Sequence, residues 1–260
     1  MIIMKNLLSV RKNVLQLFTL LLGMASLSSC LKDNGNNTQA PVAGLMAFNL
    51  SPDAPAIGFT LSGNNFTNTP LAYTNYTGGY LGIYAGTRPV VAFDAISGNV
   101  LAGSDYTFDQ EKYYSLFLVK DTSYHNILVR DKIDTLAGTS GIAYVRYINA
   151  VPGLGSPVVK ITQNGNDVIN GNANFGTVSD FSAVQAGQIT IKINSNDTLQ
   201  VERTISVDER KVYTALLSGK PGVSDSSKAV SIKYITNGTL SPDSTANGLG
   251  RINGRTIAIH

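Results

Sequence analysis

The sequence predicts an all-β protein, and three observations carry that expectation. Beyond Pro41 the apolar residues recur with period two: Ile189, Ile191 and Ile193 alternate with Thr190, Lys192 and Asn194, as on a strand with one buried face. Turn signals at Ser97-Gly98-Asn99, Asn164-Gly165, Asn194-Ser195-Asn196-Asp197 and Asn237-Gly238 separate short strand-like runs. No window shows the period of an amphipathic helix. Composition agrees: 43% hydrophobic residues can build cores, while 14% charged residues, no Trp and one Cys exclude a coiled coil, a disordered chain and a disulfide scaffold.

Taken in order, the chain opens with Lys5, Arg11 and Lys12, then an apolar run from Val14 to Leu27. That run is shorter than the roughly 20 residues that span a bilayer as a helix. A basic start, a short apolar stretch and small residues predict a secretory signal peptide over residues 1–29. Leu27-Ser28-Ser29-Cys30 resembles a bacterial lipobox, in which the Cys is acylated and becomes the first mature residue. Cys30 is the chain's one thiol, so it is the expected lipidation site and the expected link to a membrane. Removing residues 1–29 takes three basic residues and no acid, leaving 17 basic and 17 acidic residues. A neutral mature chain gives no reason to expect a nucleic-acid partner. Residues 30–41 are polar and aperiodic and predict a flexible tether. Lys32-Asp33 is similar to the surface-export signals of Bacteroidetes lipoproteins. The expected address is the outer membrane, facing either the cell surface or the periplasm.

Among the strand-like runs, Tyr113–Val119 and Val212–Leu217 are nearly continuously apolar, as expected of central strands covered on both faces. The chain also repeats itself. Asn49 and Pro52 return as Asn149 and Pro152, Ala85-Gly86 as Ala186-Gly187, and Asp109, Lys112 and Tyr114 as Asp208, Lys211 and Tyr213. These shifts of 99 to 101 residues are collinear, and a period of that size is a whole domain. The boundary falls in the small, polar stretch Leu136-Ala137-Gly138-Thr139-Ser140-Gly141. The prediction is two tandem immunoglobulin-like β-sandwich domains after a lipoprotein signal peptide, at 42–136 and 142–238, with a tail at 239–260. About seven strands are expected in each, without the Cys pair and Trp of antibody domains. Each copy is expected to have its own core and a modest, polar interface with the other.

Phe48-Asn49-Leu50-Ser51-Pro52-Asp53-Ala54-Pro55-Ala56-Ile57 resembles one signature of the bacterial domain of unknown function 4397 family. Phe175-Gly176-Thr177-Val178-Ser179-Asp180-Phe181 with Val184-Gln185-Ala186-Gly187 is similar to its second signature. The resemblance implies an exported, lipid-anchored protein with immunoglobulin-like β-folds, often in tandem. Each signature is split here. Copy two has Val151-Pro152-Gly153-Leu154 where copy one keeps Ser-Pro-Asp-Ala-Pro, and copy one has Thr77-Gly78-Gly79-Tyr80 where copy two keeps Val-Ser-Asp.

Residues that carry chemistry are sparse. The two histidines, His125 and His260, have no metal-ligand spacing, no Gly-x-Ser-x-Gly elbow is present, and no catalytic residue, metal site or cofactor is expected. Asp105, Asp109, Glu111, Asp131 and Asp134 read mostly as turn residues that cap their own backbone. Tyr73, Tyr76, Tyr80 and Tyr84 crowd a Gly/Thr-rich stretch and are the candidate ligand-contact residues, able to offer rigid faces to a glycan or a protein; ordinary sandwich packing is the competing reading. Asp134-Thr135-Leu136, Asp197-Thr198-Leu199 and Asp243-Ser244-Thr245 are similar to Bacteroidetes O-glycosylation acceptors. The expected function is that of a non-catalytic, lipid-anchored envelope protein whose sandwiches are interaction or spacer modules. The alternative is a carbohydrate-binding accessory lipoprotein of a polysaccharide uptake system, and a secreted hydrolase is disfavoured.

Overall fold

The computed structural model describes residues 42–195 and 199–242, all within one compact unit, Pro41–His260. The expected signal peptide, Cys30 and the tether lie outside the described residues, as do Asn196, Asp197, Thr198 and residues 243–260 with His260.

The first copy holds β1 (Val42–Asn49), β2 (Ala56–Leu61), β3 (Asn64–Asn65), β4 (Leu71–Ala72), β5 (Leu81–Tyr84), β6 (Gly86–Asp94), β7 (Val100–Phe108), β8 (Tyr113–Lys120) and β9 (Tyr124–Asp131). The second holds β10 (Ile142–Ala150), β11 (Val158–Gln163), β12 (Asn166–Asn172), β13 (Ser182–Gln185), β14 (Gly187–Ser195), β15 (Leu199–Val207), β16 (Lys211–Ser218) and β17 (Ser231–Thr239). Each copy is a sandwich of two sheets. The outer sheets run β3-β2-β6-β7, with β4 also on β2, and β12-β11-β14-β15. The inner sheets run β5-β1-β8-β9 and β13-β10-β16-β17. In each inner sheet the first strand lies parallel to the last but one, Phe48 opposite Phe117 and Ile148 opposite Leu216, while the other pairs are antiparallel. There are more strands than the seven expected per copy. The extra pieces β3 and β4 are two-residue edges on β2, too short to show a period of their own.

Packing follows the two faces of each inner strand. Ala43, Leu45 and Ala47 of β1 point with Leu116 and Leu118 into the first sandwich, against Phe59 and Val90. The alternate residues Met46 and Phe48 pack instead with Phe117, Val119, Ile148, Val212 and Leu216, residues of both copies. Tyr147, Ala215 and Leu217 turn back onto Val159, Ile191 and Ile193 in the second sandwich. The described residues therefore form four β-layers with three cores between them, the middle one shared between the copies. The expected modest, polar interface is not what the structure shows. Strands apolar on both faces must bury both, and the second face of β1 and β8 has only the other copy to cover it.

The connection is packed too. Ile133, in a 3-10 turn at Lys132–Thr135, is fully buried in the shared core, and Tyr144 donates its hydroxyl to the Ala137 carbonyl. Gly138 passes so close to the Ser241 backbone that no Cβ would fit. The small, polar boundary stretch is thus packed against both copies.

The repeat is structural in its details. Asn49 and Asn149 are both fully buried; Asn49 donates to the Ala54 and Leu71 carbonyls and Asn149 to the Ala173 carbonyl, while each accepts the N–H two residues on, Ser51 and Val151 respectively. Tyr114 and Tyr213 each accept, through the hydroxyl, the backbone N–H of the aspartate five residues before, Asp109 and Asp208. This ties the turn to the strand that follows it. Asn164-Gly165 forms the expected tight hairpin, both residues having positive φ. Asn237-Gly238 does not form the expected turn: it lies within β17 at a register shift against β16, where Asn237 is the extra residue.

Candidate functional site

Hydroxyl and ionisable groups gather at the centre of the shared core. Arg146 of β10 donates to Asp131 at the end of β9, Nη1 to Oδ1 at 2.6 Å, and both side chains are buried. Its Nη2 donates to Ser115 Oγ at 2.9 Å and its Nε to Thr214 Oγ1 at 3.0 Å. Ser115 Oγ and the Tyr80 hydroxyl both donate to Asp131 Oδ2, at 2.6 and 2.5 Å. Thr214 donates to Asn237 Oδ1 at 2.6 Å, and Asn237 Nδ2 donates to Tyr80 Oη at 3.2 Å, closing a ring. Phe181 covers the guanidinium, its centroid 4.3 Å from Cζ. Burial, aided by the Asp131 carboxylate, holds the Tyr80 hydroxyl well above the usual phenol range. Arg146 and Asp131 pair their charges inside the shared core, and the hydroxyls and the amide around them join the two copies.

Asp131 is therefore a buried ion-pair partner and not the turn residue expected. Two further links cross the seam near its rim. Lys220 donates to Asp53 at 2.5 Å and Lys120 approaches the other oxygen at 3.3 Å; the Lys220 bond, against some desolvation, holds the Asp53 carboxyl below its usual range. Lys132 pairs with Asp180 at 2.9 Å on the surface. Asp53 belongs to the signature half kept by copy one and Asp180 to the half kept by copy two. Each spends its acid on a lysine of the other copy, which gives the split signature a physical reading.

The four candidate tyrosines do not share one surface. Tyr80 is buried in the ring, so its expected ligand contact is corrected. Tyr76 is half-buried and stacked on Phe48, with centroids 5.4 Å apart. Tyr73 spans the seam, its hydroxyl donating to Ser218 Oγ at 3.3 Å. Tyr84, 46% exposed, alone among them lines a cavity. His125 sits on the surface 2.9 Å from Asp121, and among the described residues no group of His, Cys, Asp or Glu is placed to hold a metal ion.

That cavity, about 320 Å³, opens at one side of the first sandwich between β5 and the β2–β3 hairpin. Leu61, Phe66 and Ile83 supply apolar lining; Ser62, Asn64, Asn65, Tyr84 and Arg88 supply the polar groups. Arg88 is anchored by its Nε to the Tyr84 carbonyl at 2.5 Å and its Nη2 to the Ala85 carbonyl at 3.2 Å, and its guanidinium lies 5.7 Å from the Tyr84 ring centroid. Arg88 leaves no signal in the sequence, one Arg in the stretch Ala85-Gly86-Thr87-Arg88-Pro89 with no charge pattern around it. Arg146 did leave one: a lone charge inside the apolar run Tyr144-Val145-Arg146-Tyr147-Ile148.

Residues 143–248, the second copy, match the family model of the domain of unknown function DUF4397. No curated protein matches the chain in sequence. Among solved structures, the chain is similar to CBMbc, a family CBM26 module from Eubacterium rectale Amy13K crystallised with maltoheptaose: 15% identity, 78% of this chain and 99% of that chain, TM-score 0.22. Likeness at that level carries no argument about this chain.

Proposed function

We propose that the chain is a non-catalytic, lipid-anchored envelope protein, held to the outer membrane through Cys30, whose paired sandwiches form a rigid interaction module. One observation carries the reading. The largest hydrogen-bonded cluster of hydroxyl, acid and guanidinium groups lies buried in the shared core, and the open cavity has no carboxylate or imidazole among its lining residues to move a proton. A second reading, a carbohydrate-binding accessory lipoprotein, is favoured by the cavity itself: a half-exposed Tyr ring, two carboxamides, a hydroxyl and a guanidinium around an apolar floor. The test is a screen of the full chain in detergent micelles against glycan and peptide arrays. Saturable binding without turnover supports the proposal, and release of product from any bound substrate overturns it.

A further inference from the structure

The two copies treat the same sheet edge differently. In copy two, Gln163 closes it: its Nε2 donates to the Gln185 carbonyl at 2.7 Å and its Oε1 accepts the Gln185 N–H at 2.9 Å. Register equates Gln185 with Tyr84, since they pair with Ile142 and Val42, the first residues of β10 and β1. The Val42 carbonyl is taken by the Glu111 N–H on the β8 side, so the Val42–Tyr84 pair is of the non-hydrogen-bonded kind. The Tyr84 backbone groups thus face away from β1, into the cavity. Arg88 takes the carbonyl. The N–H is left as a donor where copy two presents Gln163 Oε1. Beside it, Arg88 is a guanidinium with no carboxylate partner among the described residues.

We propose that this cavity binds an acidic sugar, a uronate residue of a glycan, with its carboxylate between the Tyr84 N–H and the Arg88 guanidinium. The proposal rests on the second reading above and names its ligand class. An outward N–H beside an uncompensated guanidinium is the donor set of a carboxylate, and the oxygen that Gln163 places in copy two marks where the acceptor goes. The body of the ligand is set by the rest of the lining. Asn64, Asn65 and Ser62 offer donors and acceptors to ring hydroxyls, and the Tyr84 face offers an apolar platform.

The full chain in detergent micelles is titrated calorimetrically with tetragalacturonate, with its methyl ester, and with an Ala-Ala-Phe tripeptide bearing a free carboxylate. Tetragalacturonate should bind saturably and weaken as salt is raised. The ester and Arg88→Gln should each weaken binding about tenfold or more, the loss of one charge-assisted pair. Asn65→Trp, at an exposed position that lines the mouth, should block binding with no change in the thermal transition, which separates occlusion from misfolding. Equal binding of acid and ester, or an Arg88→Gln affinity equal to wild type, overturns the uronate assignment and leaves glycan binding standing. Preference for the tripeptide overturns both uronate and glycan readings but keeps an interaction module. No binding of any probe overturns the site itself.

Discussion

Arg146 and Asp131 meet at 2.6 Å across the boundary between the two copies, both side chains buried. The pair is the centre of a hydrogen-bonded ring that draws Ser115, Tyr80 and Asp131 from the first copy and Arg146, Thr214 and Asn237 from the second. A ring of this kind adds geometric specificity to an otherwise apolar contact, because no sliding of one inner sheet over the other keeps every bond.

Removing one member should therefore be costly. Arg146→Met leaves Asp131 buried without its partner and should destabilise the protein by about 3–5 kcal/mol. Pairing it with Asp131→Leu should recover much of the loss, because two apolar side chains leave fewer orphaned groups. Urea midpoints of the single and double variants read this directly, and a double variant no more stable than Arg146→Met would contradict it.

The buried tyrosines set an alkaline limit. Burial, with Asp131 adding, raises the Tyr80 phenol, and burial, with Asp134 adding, raises Tyr113. A raised folded-state pKa means the folded form holds protons that the unfolded form releases. Stability should be full below about pH 10, the unfolded phenol value, and fall as pH rises beyond it. The part of the phenolate absorbance that Tyr80→Phe or Tyr113→Phe removes should appear only together with loss of near-ultraviolet circular dichroism; its appearance while the protein is still folded would contradict the burial.

Asp53 works in the opposite sense. Its depressed pKa contributes stability above the unfolded carboxylate value near pH 4, lost as pH falls further. Because the pair is partly exposed, Asp53→Asn should cost no more than about 1 kcal/mol at neutral pH and flatten the acid limb of the stability curve. An unchanged acid limb would assign that region to other carboxylates.

Asn49 and Asn149 are the interior supports of the loops that follow β1 and β10. Asn→Ala at either site strands buried backbone groups and should cost about 1–3 kcal/mol or more. The cost should be larger at Asn49, which satisfies two carbonyls where Asn149 satisfies one, and a neutral substitution at either would contradict the role.

Cys30 is the proposed anchor. Cys30→Ser should abolish lipid labelling and release the protein from the membrane fraction, whereas membrane retention would remove the basis of the proposed address.

Much of this architecture was legible. Period two in Ile189–Ile193 marked β14, Asn164-Gly165 marked a hairpin, and the collinear return of Asn49, Asp109 and Tyr114 marked two copies. The shared core was not legible: the unbroken apolar runs of β8 and β16 say that both faces are covered, not by what, and the interface was expected to be polar. Asn237-Gly238 misled because a bulge and a turn draw on the same residues. The ring was not legible, since its six members are scattered from Tyr80 to Asn237 and meet only when the inner sheets stack. The cavity was legible in Tyr84 alone; Arg88 gains meaning only beside an open strand edge.

The central claim is that the two copies fold as one body around a shared core. It stands against the expected modest, polar interface, because the contact between the copies is an apolar core. A fragment ending at 138 would expose Met46, Phe48, Phe117 and Val119, an apolar face with nothing to cover it. Differential scanning calorimetry of the full chain tests this most directly. A shared core gives one transition with equal calorimetric and van't Hoff enthalpies, shifted as a whole by Ile191→Asp or Arg146→Met. Two resolved transitions, with only one displaced by Ile191→Asp, would contradict it.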